Sequence, residues 1–413
     1  MHRLQHTTRL CSILILNLVL IFSITSCVEE FETDSIEYER LLVVDANISD
    51  QAKPHQVRLF YTSPIDNEIQ NTQDVLSGAA VWVEDNLGAR TDFFEQDPGY
   101  YYSPEDFAGE AGKSYSLFIT TAEGKNYKST TEELYAAPQI SRVYNKFTIE
   151  LGDRTANTIP GVQFFIDVDD TSIGSKFYRY EWSDVHQVIV PYPKQYEAIP
   201  SQNGYDIVPF TLDVEECYRE DNFKELILAT SSSSSNNQLI EVPIKFSDVN
   251  DFNVTTRYSI EITQRSISPE AYSYYRKIEL FNESNGSLFD KQQGLIVGNI
   301  TSLDDPEENV LGYFEVSGAS SERIYMDYTD LDPEALEYLE RTCTKYGGWQ
   351  FRGSVEEFYQ ALDLPESIRG PEIARRGNFE LVDLGARNEL FFAHRLCADC
   401  RRRGSLNKPS YWE

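Results

Sequence analysis

The chain has 413 residues, and its 36 lysine and arginine residues against 67 aspartate and glutamate residues give a formal net charge of −31. Such a charge argues against nucleic acid or an anionic membrane surface as a partner. Since hydrophobic residues make up 41% and aromatic residues 13% of the chain, a disordered acidic protein is excluded, and the length predicts two or three domains.

The N-terminus carries the features of a signal peptide. The first nine residues contain two arginines and no acid, and residues 10–24 form a mostly apolar run. This run is shorter than the roughly 20 residues that a membrane-spanning helix needs. The sequence Ile24-Thr25-Ser26-Cys27 then resembles a lipobox. We therefore predict a signal peptide over 1–26 and lipid attachment to Cys27; the alternatives are an uncleaved anchor or an ordinary signal peptide with a chance cysteine.

An acidic segment follows the predicted lipid site. Val28–Glu37 holds five acids and no base, so residues 27–37 are predicted to form an acidic tether. The cluster resembles the export signal that sends Bacteroidetes lipoproteins to the cell surface. Because each buried methylene contributes about 0.8 kcal/mol, two or three acyl chains would hold the protein firmly in the membrane. We expect a lipid-anchored, surface-exposed outer-membrane protein; the plainer interpretation is a solvated tether.

Residues 38–137 show the pattern of a β-sandwich. Apolar and polar residues alternate at Val57, Leu59 and Tyr61 and again over Tyr115–Ile119, with turn residues between such runs. Period-2 alternation with frequent turns is typical of stacked antiparallel sheets. The glycine and aromatic spacing resembles an immunoglobulin- or transthyretin-like module, which usually acts as a spacer or binding platform.

Residues 138–413 are predicted to form a second, β-rich domain with a few helices. Strands are expected at Val162–Val168, Phe177–Trp182, Leu226–Ala229, Leu239–Phe246, Tyr258–Thr263, Leu295–Ile300 and Val310–Val316. A helix near 268–285 has Ser268 as its cap and Pro269 at its first position. Further helices are expected near 333–341 and 354–363, so the C-terminal segment is predicted to be more helical. The fold class is therefore mainly β.

Four cysteines remain besides Cys27 and one in the signal peptide. They are Cys217, Cys343, Cys397 and Cys400. In an oxidising compartment they predict disulfides, with three possible pairings. The alternative to disulfides is a zinc site formed by His394, Cys343, Cys397 and Cys400. Cys397 and Cys400 as a redox-active pair is a further alternative, although no thioredoxin-like pattern surrounds them.

Several sequence blocks resemble one known family. They are Ser268-Pro269-Glu270-Ala271-Tyr272, Gly286-Ser287-Leu288-Phe289-Asp290, Gly298-Asn299-Ile300, Asp305-Pro306-Glu307-Glu308 with Gly312-Tyr313-Phe314, and Cys397-Ala398-Asp399-Cys400-Arg401 with Lys408-Pro409-Ser410-Tyr411-Trp412. These blocks and the N-terminal module resemble the Bacteroidetes lipoprotein family called domain of unknown function four-two-four-nine. Gly404-Ser405-Leu406-Asn407 departs from the Gly-Gly-Thr-Asn-like turn expected there.

The resemblance implies an outer-membrane lipoprotein, typically encoded beside a TonB-dependent receptor. It implies no established activity, catalytic residue or cofactor. We therefore expect a non-enzymatic accessory or substrate-capture partner of a TonB-dependent transporter. The alternative is a free-standing surface module or adhesin that binds glycan or peptide. A hydrolase is the third class; the sequence has no G-x-S-x-G, H-E-x-x-H or phosphate-loop motif, and a carboxylate pair needs a three-dimensional test.

Acidic, aromatic and basic clusters supply the remaining candidate sites. Oxygen ligands for Ca²⁺ could come from Asp167-x-Asp169-Asp170, Asp248-x-Asn250-Asp251 and Asp327-x-x-Asp330-x-Asp332, although none has EF-hand spacing, and no metal site is predicted. Tyr100–Tyr102, Tyr272 with Tyr274 and Tyr275, and Trp349 could stack on a ligand, but core packing is the preferred interpretation. Arg401–Arg403 could dock an acidic partner, but pairing with the protein's own acids is preferred.

Overall fold

The computed structural model describes residues 39–63, 74–151, 158–169, 174–202, 204–222, 225–232, 237–248, 256–284, 295–331, 333–337, 345–350, 379–386 and 389–412, together with residues 234 and 343. The chain divides into two compact units, residues 1–40 with 62–70 and residues 41–61 with 71–413. Four residues of the first unit are described, and there the Thr62 hydroxyl donates to the Glu39 carbonyl oxygen at 3.2 Å. All described helices and strands belong to the second unit.

The described chain is mainly β, which confirms the predicted fold class. The first strands are β1 (Leu42–Ser49), β2 (Gln56–Tyr61), β3 (Ala80–Asp85), β4 (Arg90–Asp97), β5 (Tyr100–Tyr102), β6 (Ser114–Thr120), β7 (Asn126–Ser129) and β8 (Glu132–Glu133). The middle of the chain forms β9 (Ile140–Leu151), β10 (Thr158–Asp169), β11 (Phe177–Ile189), β12 (Tyr196–Ser201), β13 (Gly204–Pro209), β14 (Glu216–Asn222), β15 (Ile227–Thr230), β16 (Gln238–Asp248) and β17 (Tyr258–Ile267).

The rest of the chain adds two α-helices and five strands among the described residues. These are α1 (Pro269–Ser284), β18 (Ile300–Ser302), β19 (Val310–Met326), α2 (Pro333–Glu337), β20 (Lys345–Gln350), β21 (Phe379–Leu384) and β22 (Glu389–His394). Helix α1 lies where the sequence predicts a helix near 268–285. Its cap is Ser268, whose hydroxyl oxygen accepts a hydrogen bond from the Ala271 amide at 3.0 Å.

Fourteen strands form one large sheet. Its order is β14-β11-β17-β19-β1-β2-β5-β4-β3-β6-β7-β18, with β15 beside β11 and β8 beside β6. Strand β1 runs parallel to β19, with Leu42 opposite Val310, and the other pairs are antiparallel. The two smaller sheets have the orders β16-β10-β9 and β13-β12-β21-β22-β20.

The large sheet crosses the boundary that the sequence predicts between residues 137 and 138. Strand β1 lies in the predicted N-terminal module and β19 in the predicted second domain, yet they are hydrogen-bonded neighbours. Parallel strands need a long connection, and here the connection is most of the described chain. The division into two domains stays a prediction, but the sheet does not end at that point.

Two apolar clusters lie on one face of the large sheet, which we call the inner face. In the first, Val44 of β1 and Leu59 of β2 pack with Leu117 of β6, so the sheet folds over itself as a sandwich. In the second, Phe164 of β10 packs with Ile262 of β17, which joins the three-stranded sheet to the large one. Alternation along each strand places the intervening side chains on the opposite, outer face.

One prediction of secondary structure is wrong. Residues 295–299 are not a strand, because Gly298 lies against the carbonyl of Gly312 and the Asn299 side chain hydrogen-bonds the backbone of β19. That the C-terminal segment is more helical stays a prediction, because residues 351–378 lie outside the described part; among the described residues, β21 and β22 pair and bury apolar side chains. The helix predicted near 333–341 is described as Pro333–Glu337, and the one near 354–363 lies outside the described residues.

Candidate functional site

The predicted lipid site and tether lie outside the described part of the chain. Cys27 and residues 28–37 are not among the described residues, so lipid attachment to Cys27 stays a prediction from the sequence. Within the described residues, no helix has both the length and the apolar character needed to cross a membrane.

The other four cysteines form two disulfides, Cys217 with Cys400 and Cys343 with Cys397. The Cα–Cα distances are 5.4 Å and 5.7 Å, within the ordinary range. This is one of the three pairings that the sequence leaves open. Because bonded sulfurs are not thiolates, they cannot supply the ligands of the alternative zinc site with His394. Cys397 and Cys400 are bonded to other partners and not to each other.

The first acidic cluster is engaged inside the protein. The Arg142 guanidinium donates to Asp167 Oδ2 at 2.6 Å, and Oδ1 accepts from the Tyr144 hydroxyl at 3.1 Å and the Glu241 amide at 2.9 Å. Asp167 is therefore a structural hub that joins β9, β10 and β16. No group of three or more metal-ligating side chains occurs in the described ranges. Four candidate ligands lie outside those ranges: Asp170, Asn250, Asp251 and Asp332.

The tyrosine triplet of β5 divides between the two faces of the sheet. Tyr101 is fully buried in the first apolar cluster, as predicted for core packing. Tyr100 and Tyr102 are half-buried on the outer face. The alternation of a strand requires this division, so the core interpretation holds for Tyr101 alone.

The second tyrosine group lies on α1 and packs against the large sheet. The rings of Tyr274 and Tyr275 lie 4.9 Å and 6.2 Å from the ring of Tyr313 on β19. The ring of Tyr272 lies 4.9 Å from Phe177 on β11. These contacts fix the helix on the outer face, which agrees with the preferred packing interpretation. The side chain of Trp349 is outside the described part.

The arginine run near the C-terminus pairs with acids of the same chain. Arg401 Nη2 lies 2.7 Å from Asp399 Oδ2, and Arg402 Nη2 lies 3.8 Å from Glu380 Oε1. Burial raises the pKa of Asp399, but its hydrogen bonds from Arg401 outweigh burial and lower it. The preferred interpretation, pairing with the protein's own acids, fits these contacts.

Three of the sequence blocks that carry the family resemblance meet at one buried carboxylate. Glu132 accepts hydrogen bonds from the hydroxyls of Ser268 at 2.6 Å and Tyr313 at 2.8 Å, and from the Asn299 amide group at 3.1 Å. Asn299 also binds the backbone of Phe314 through both its amide nitrogen and its oxygen. We call this set of residues the Glu132 node. It joins β8, the start of α1 and β19, so these block residues have a structural role.

Two glycines of the same blocks allow a close approach of three chain segments. A Cβ atom at Gly298 would lie 1.5 Å from the Gly312 carbonyl oxygen, and one at Gly312 would lie 1.9 Å from the Val44 carbonyl oxygen. Gly312 also has a φ of +94°, which other residues rarely adopt. Both positions therefore require glycine for packing.

A chain of alternating charges is buried on the outer face beside α1. Arg179 Nε and Nη2 donate to the two carboxylate oxygens of Glu315 at 2.8 Å and 3.0 Å, and Arg179 Nη1 lies 2.8 Å from Glu181 Oε1. Arg265 Nη2 donates to Glu181 Oε2 at 3.0 Å. Burial raises the pKa of Glu315, but Arg179 outweighs this effect and lowers it to about 2. The four residues, Glu315, Arg179, Glu181 and Arg265, are called the charge chain.

An aromatic row continues from the charge chain across the outer face. Arg58 of β2 stands opposite Tyr100 of β5, and its guanidinium lies 4.5 Å from the Phe60 ring centroid and 5.4 Å from that of Tyr100. Tyr102 stands opposite Phe94 of β4, whose side chain is 63% exposed. The aromatic row is defined as Phe60, Phe94, Tyr100 and Tyr102, together with Arg58 and Gln56.

The aromatic row has the chemistry of a contact surface. Gln56 Nε2 donates to the Tyr102 hydroxyl at 2.7 Å, so polar groups stand among the rings. Aromatic side chains with a few placed polar groups are common in ligand sites, and tyrosine and arginine are enriched where protein partners make their strongest contacts. The row is therefore the candidate binding surface of the described body.

The sequence predictions missed both the charge chain and the row. The signal for the charge chain is present in the predicted strand Phe177–Trp182, where Arg179 and Glu181 alternate with apolar residues. A charged residue at every second position predicts a polar sheet face, but the partner Glu315 lies 136 residues from Arg179. Only the strand order reveals that they meet.

The sequence pattern of one protein family matches residues 28–323, more than half of the chain. The family is described as Domain of unknown function (DUF4249). The chain belongs to this family. The family named from the sequence blocks is thereby confirmed, although the last blocks, at 397–401 and 408–412, lie beyond the matched residues. A comparison with curated proteins finds no match.

The DUF4249 match includes some of the structural features described above and leaves others outside. It includes the Glu132 node, the charge chain and the aromatic row, all of which lie before residue 323. It ends before Cys343, Cys397 and Cys400, so both disulfides have at least one partner beyond it. The candidate binding surface thus lies in the family domain, while the disulfides hold the segment that follows it.

Proposed function

We propose that this chain is a Bacteroidetes outer-membrane lipoprotein, displayed on the cell surface, that acts as an accessory or substrate-capture partner of a TonB-dependent transporter. The observation that carries the proposal is the position of the family match. It begins at residue 28, immediately after the cysteine of the lipobox-like sequence. A family domain that starts directly at a predicted lipid site supports a role tied to the membrane.

The aromatic row supports the capture part of this role. Phe94 is largely exposed although it is a large apolar residue, and it stands opposite Tyr102, whose hydroxyl can add a hydrogen bond. Such a surface suits a ligand or a receptor loop that presents both apolar and polar groups. The net charge of −31 makes an anionic ligand an unfavourable partner.

A native purification tests the proposal. The full-length protein is extracted from its own membrane in mild detergent, and co-purifying proteins are identified by mass spectrometry. We expect a TonB-dependent receptor to co-purify with the wild type and to be lost with Cys27→Ser, which removes the lipid site. Labelling with a radioactive fatty acid checks that the wild type carries lipid and the variant does not. If the lipidated protein repeatedly brings no receptor barrel with it, the proposal is wrong.

The exposure of Phe94 also favours the second candidate, a free-standing module that binds glycan or peptide. This function predicts that the unlipidated Cys27→Ser protein binds a ligand on a glycan or peptide array without any barrel. Phe94→Ser should weaken that binding at least tenfold, because one ring of the row is removed. Leu87→Ser is the matched control, since Leu87 is a 77% exposed apolar residue in a turn outside the row. Equal loss in both variants would exclude the row as the site.

A further inference from the structure

A lysine and an aspartate meet in the interior between two sheets. Lys245 lies on β16 of the three-stranded sheet and Asp184 on β11 of the large sheet. The Lys245 ammonium group is in direct contact with Asp184 Oδ2. The side chains are only 10% and 1% exposed. Two opposite charges from different sheets are therefore held together away from solvent.

Aromatic side chains enclose this contact. Lys245 Nζ lies 4.1 Å from the ring centroid of Trp182 and 5.5 Å from that of Tyr258. The Tyr258 hydroxyl donates to Asp184 Oδ2 at 2.6 Å and lies 3.3 Å from Lys245 Nζ. Tyr258 therefore touches both the amine and the carboxylate. Burial raises the pKa of this phenol well above its usual value, so it keeps its proton.

Polar atoms without partners surround the pair. Asp184 Oδ1 and His186 Nδ1 have no hydrogen-bond partner among the described residues, and both residues are more than 95% buried. His186 lies two residues after Asp184 on the same strand face. Buried polar atoms normally have partners, and exceptions often mark reactive sites.

We propose that Lys245 and Asp184 become joined by an intramolecular isopeptide bond. Two buried charges carry a large desolvation cost, and an amide between them removes both charges. Because the fold already holds the amine against the carboxyl group, the reaction between them is intramolecular. Well-oriented intramolecular reactions have effective concentrations of the reacting groups of about 10⁵ M or more. The amine and the carboxyl group thus meet under conditions that favour condensation over a persistent ion pair.

The reaction needs no oxidant or other co-reactant. A proton first moves from Nζ to the carboxylate, which leaves a neutral amine and a neutral acid. The Nζ lone pair attacks Asp184 Cγ, forming the Nζ–Cγ bond and a tetrahedral centre. The Tyr258 hydroxyl, in reach of both groups, relays a proton from Nζ to the departing oxygen. The Cγ–Oδ2 bond breaks, water leaves, and the product is a neutral amide.

His186 is placed to assist as a positioning residue. Burial lowers the pKa of its imidazole to about 4, so the ring is neutral near pH 7 and adds no charge beside the pair. It stands directly opposite Tyr258 on β17. We therefore expect His186→Phe to slow bond formation without preventing it, because Tyr258 still contacts both reacting groups.

Peptide mapping of the full chain tests the bond directly. The purified protein is reduced, digested and analysed by mass spectrometry. We expect one branched peptide that contains both Lys245 and Asp184, lighter than the two linear peptides by one molecule of water. Lys245→Arg keeps the positive charge but cannot form this amide, so it should give linear peptides while remaining folded. Asp184→Asn should still give the branched peptide, because the lysine amine can condense with the asparagine amide and release ammonia instead of water.

A second buried pair in the same digest provides an internal control. The side chains of Lys194 and Glu380 are 12% and 9% exposed with Nζ and Oε2 3.0 Å apart, and within the described part of the chain no tyrosine hydroxyl hydrogen-bonds either of them. We expect these residues in linear peptides only. Linear peptides for Lys245 and Asp184 in the wild-type protein would show that the contact is an ion pair and overturn the proposal.

Discussion

The family domain and the C-terminal segment that follows it are stabilised in different ways. The family domain holds most of the two large apolar clusters, and all of the Glu132 node and the charge chain. The five-stranded sheet, which includes the C-terminal strands β20–β22, has two smaller clusters among the described residues, one of three and one of four buried hydrophobic residues. Both disulfides connect this C-terminal segment, one to β14 of the large sheet and one within itself.

The difference follows from the size of the cores. Burying apolar surface contributes about 25 cal/mol per Å², so two clusters of three and four side chains offset less of the entropy of ordering several strands than the two large clusters do. Small structures of this kind usually need covalent links. The described residues of the family domain are held mainly by buried apolar surface, whereas those of the C-terminal segment depend more on the disulfides.

The largest expected effect comes from removing the disulfide between Cys217 and Cys400. The double variant Cys217→Ala, Cys400→Ala opens a loop of 183 residues, and the chain-entropy relation predicts a loss of about 5 kcal/mol. Because the link lies outside the two large clusters, opening should be confined to the C-terminal segment. Hydrogen exchange should accelerate in 389–412 and remain slow in β17 and β19.

Removal of the other disulfide is the matched control. Cys343 and Cys397 are only 54 residues apart, so their replacement should have a smaller effect. If exchange in β17 and β19 accelerated equally in either variant, the two regions would not differ in the way described.

The next effect concerns the charge chain. Arg179→Met leaves the carboxylate of Glu315, which is 1% exposed, without its main partner. Removing one member of a buried ion pair usually costs about 3–5 kcal/mol, and the free energy of unfolding from urea titration should fall by that amount. Arg142→Met is the control, because Arg142 is 63% exposed and solvent screens its pair with Asp167, so the loss should be much smaller. Similar losses in both variants would contradict a special role for burial.

The smallest effect is a pH dependence. Because the pKa of Glu315 is about 2 in the folded protein and near 4.5 when unfolded, its contribution is complete above about pH 5 and is lost as pH falls toward 2. The shift corresponds to roughly 3 kcal/mol. The difference in unfolding free energy between the wild type and Glu315→Gln should therefore shrink over this range. A difference that does not change with pH would show that Glu315 is not held ionised by Arg179.

Local features of the fold could be predicted, and long-range pairings could not. Alternation at Val57, Leu59 and Tyr61 predicts β2, and Ser268-Pro269 predicts the start of α1, because both signals depend on neighbouring residues. The parallel pairing of β1 with β19 joins residues 268 positions apart, Leu42 and Val310. Alternation indicates a strand and its buried face but not its partner.

The same limit applies to the candidate site. The tyrosine triplet of β5 is visible in the sequence, but the faces of Tyr100 and Tyr102 follow from the position of Tyr101 in the core. Glu132 is one acid among 67, and no local pattern distinguishes it. Its role depends on hydroxyl and amide donors that are 136 to 181 residues away.

The parallel pairing of β1 also has a mechanical consequence. Strand β1 is the first described strand after the tether, and it is hydrogen-bonded on both sides, to β2 and to β19. Hydrogen bonds between strands run across the strand direction. A pull on the chain before Leu42, directed along β1, would load these bonds in shear and together. The strand nearest the predicted membrane anchor is therefore placed to resist tension.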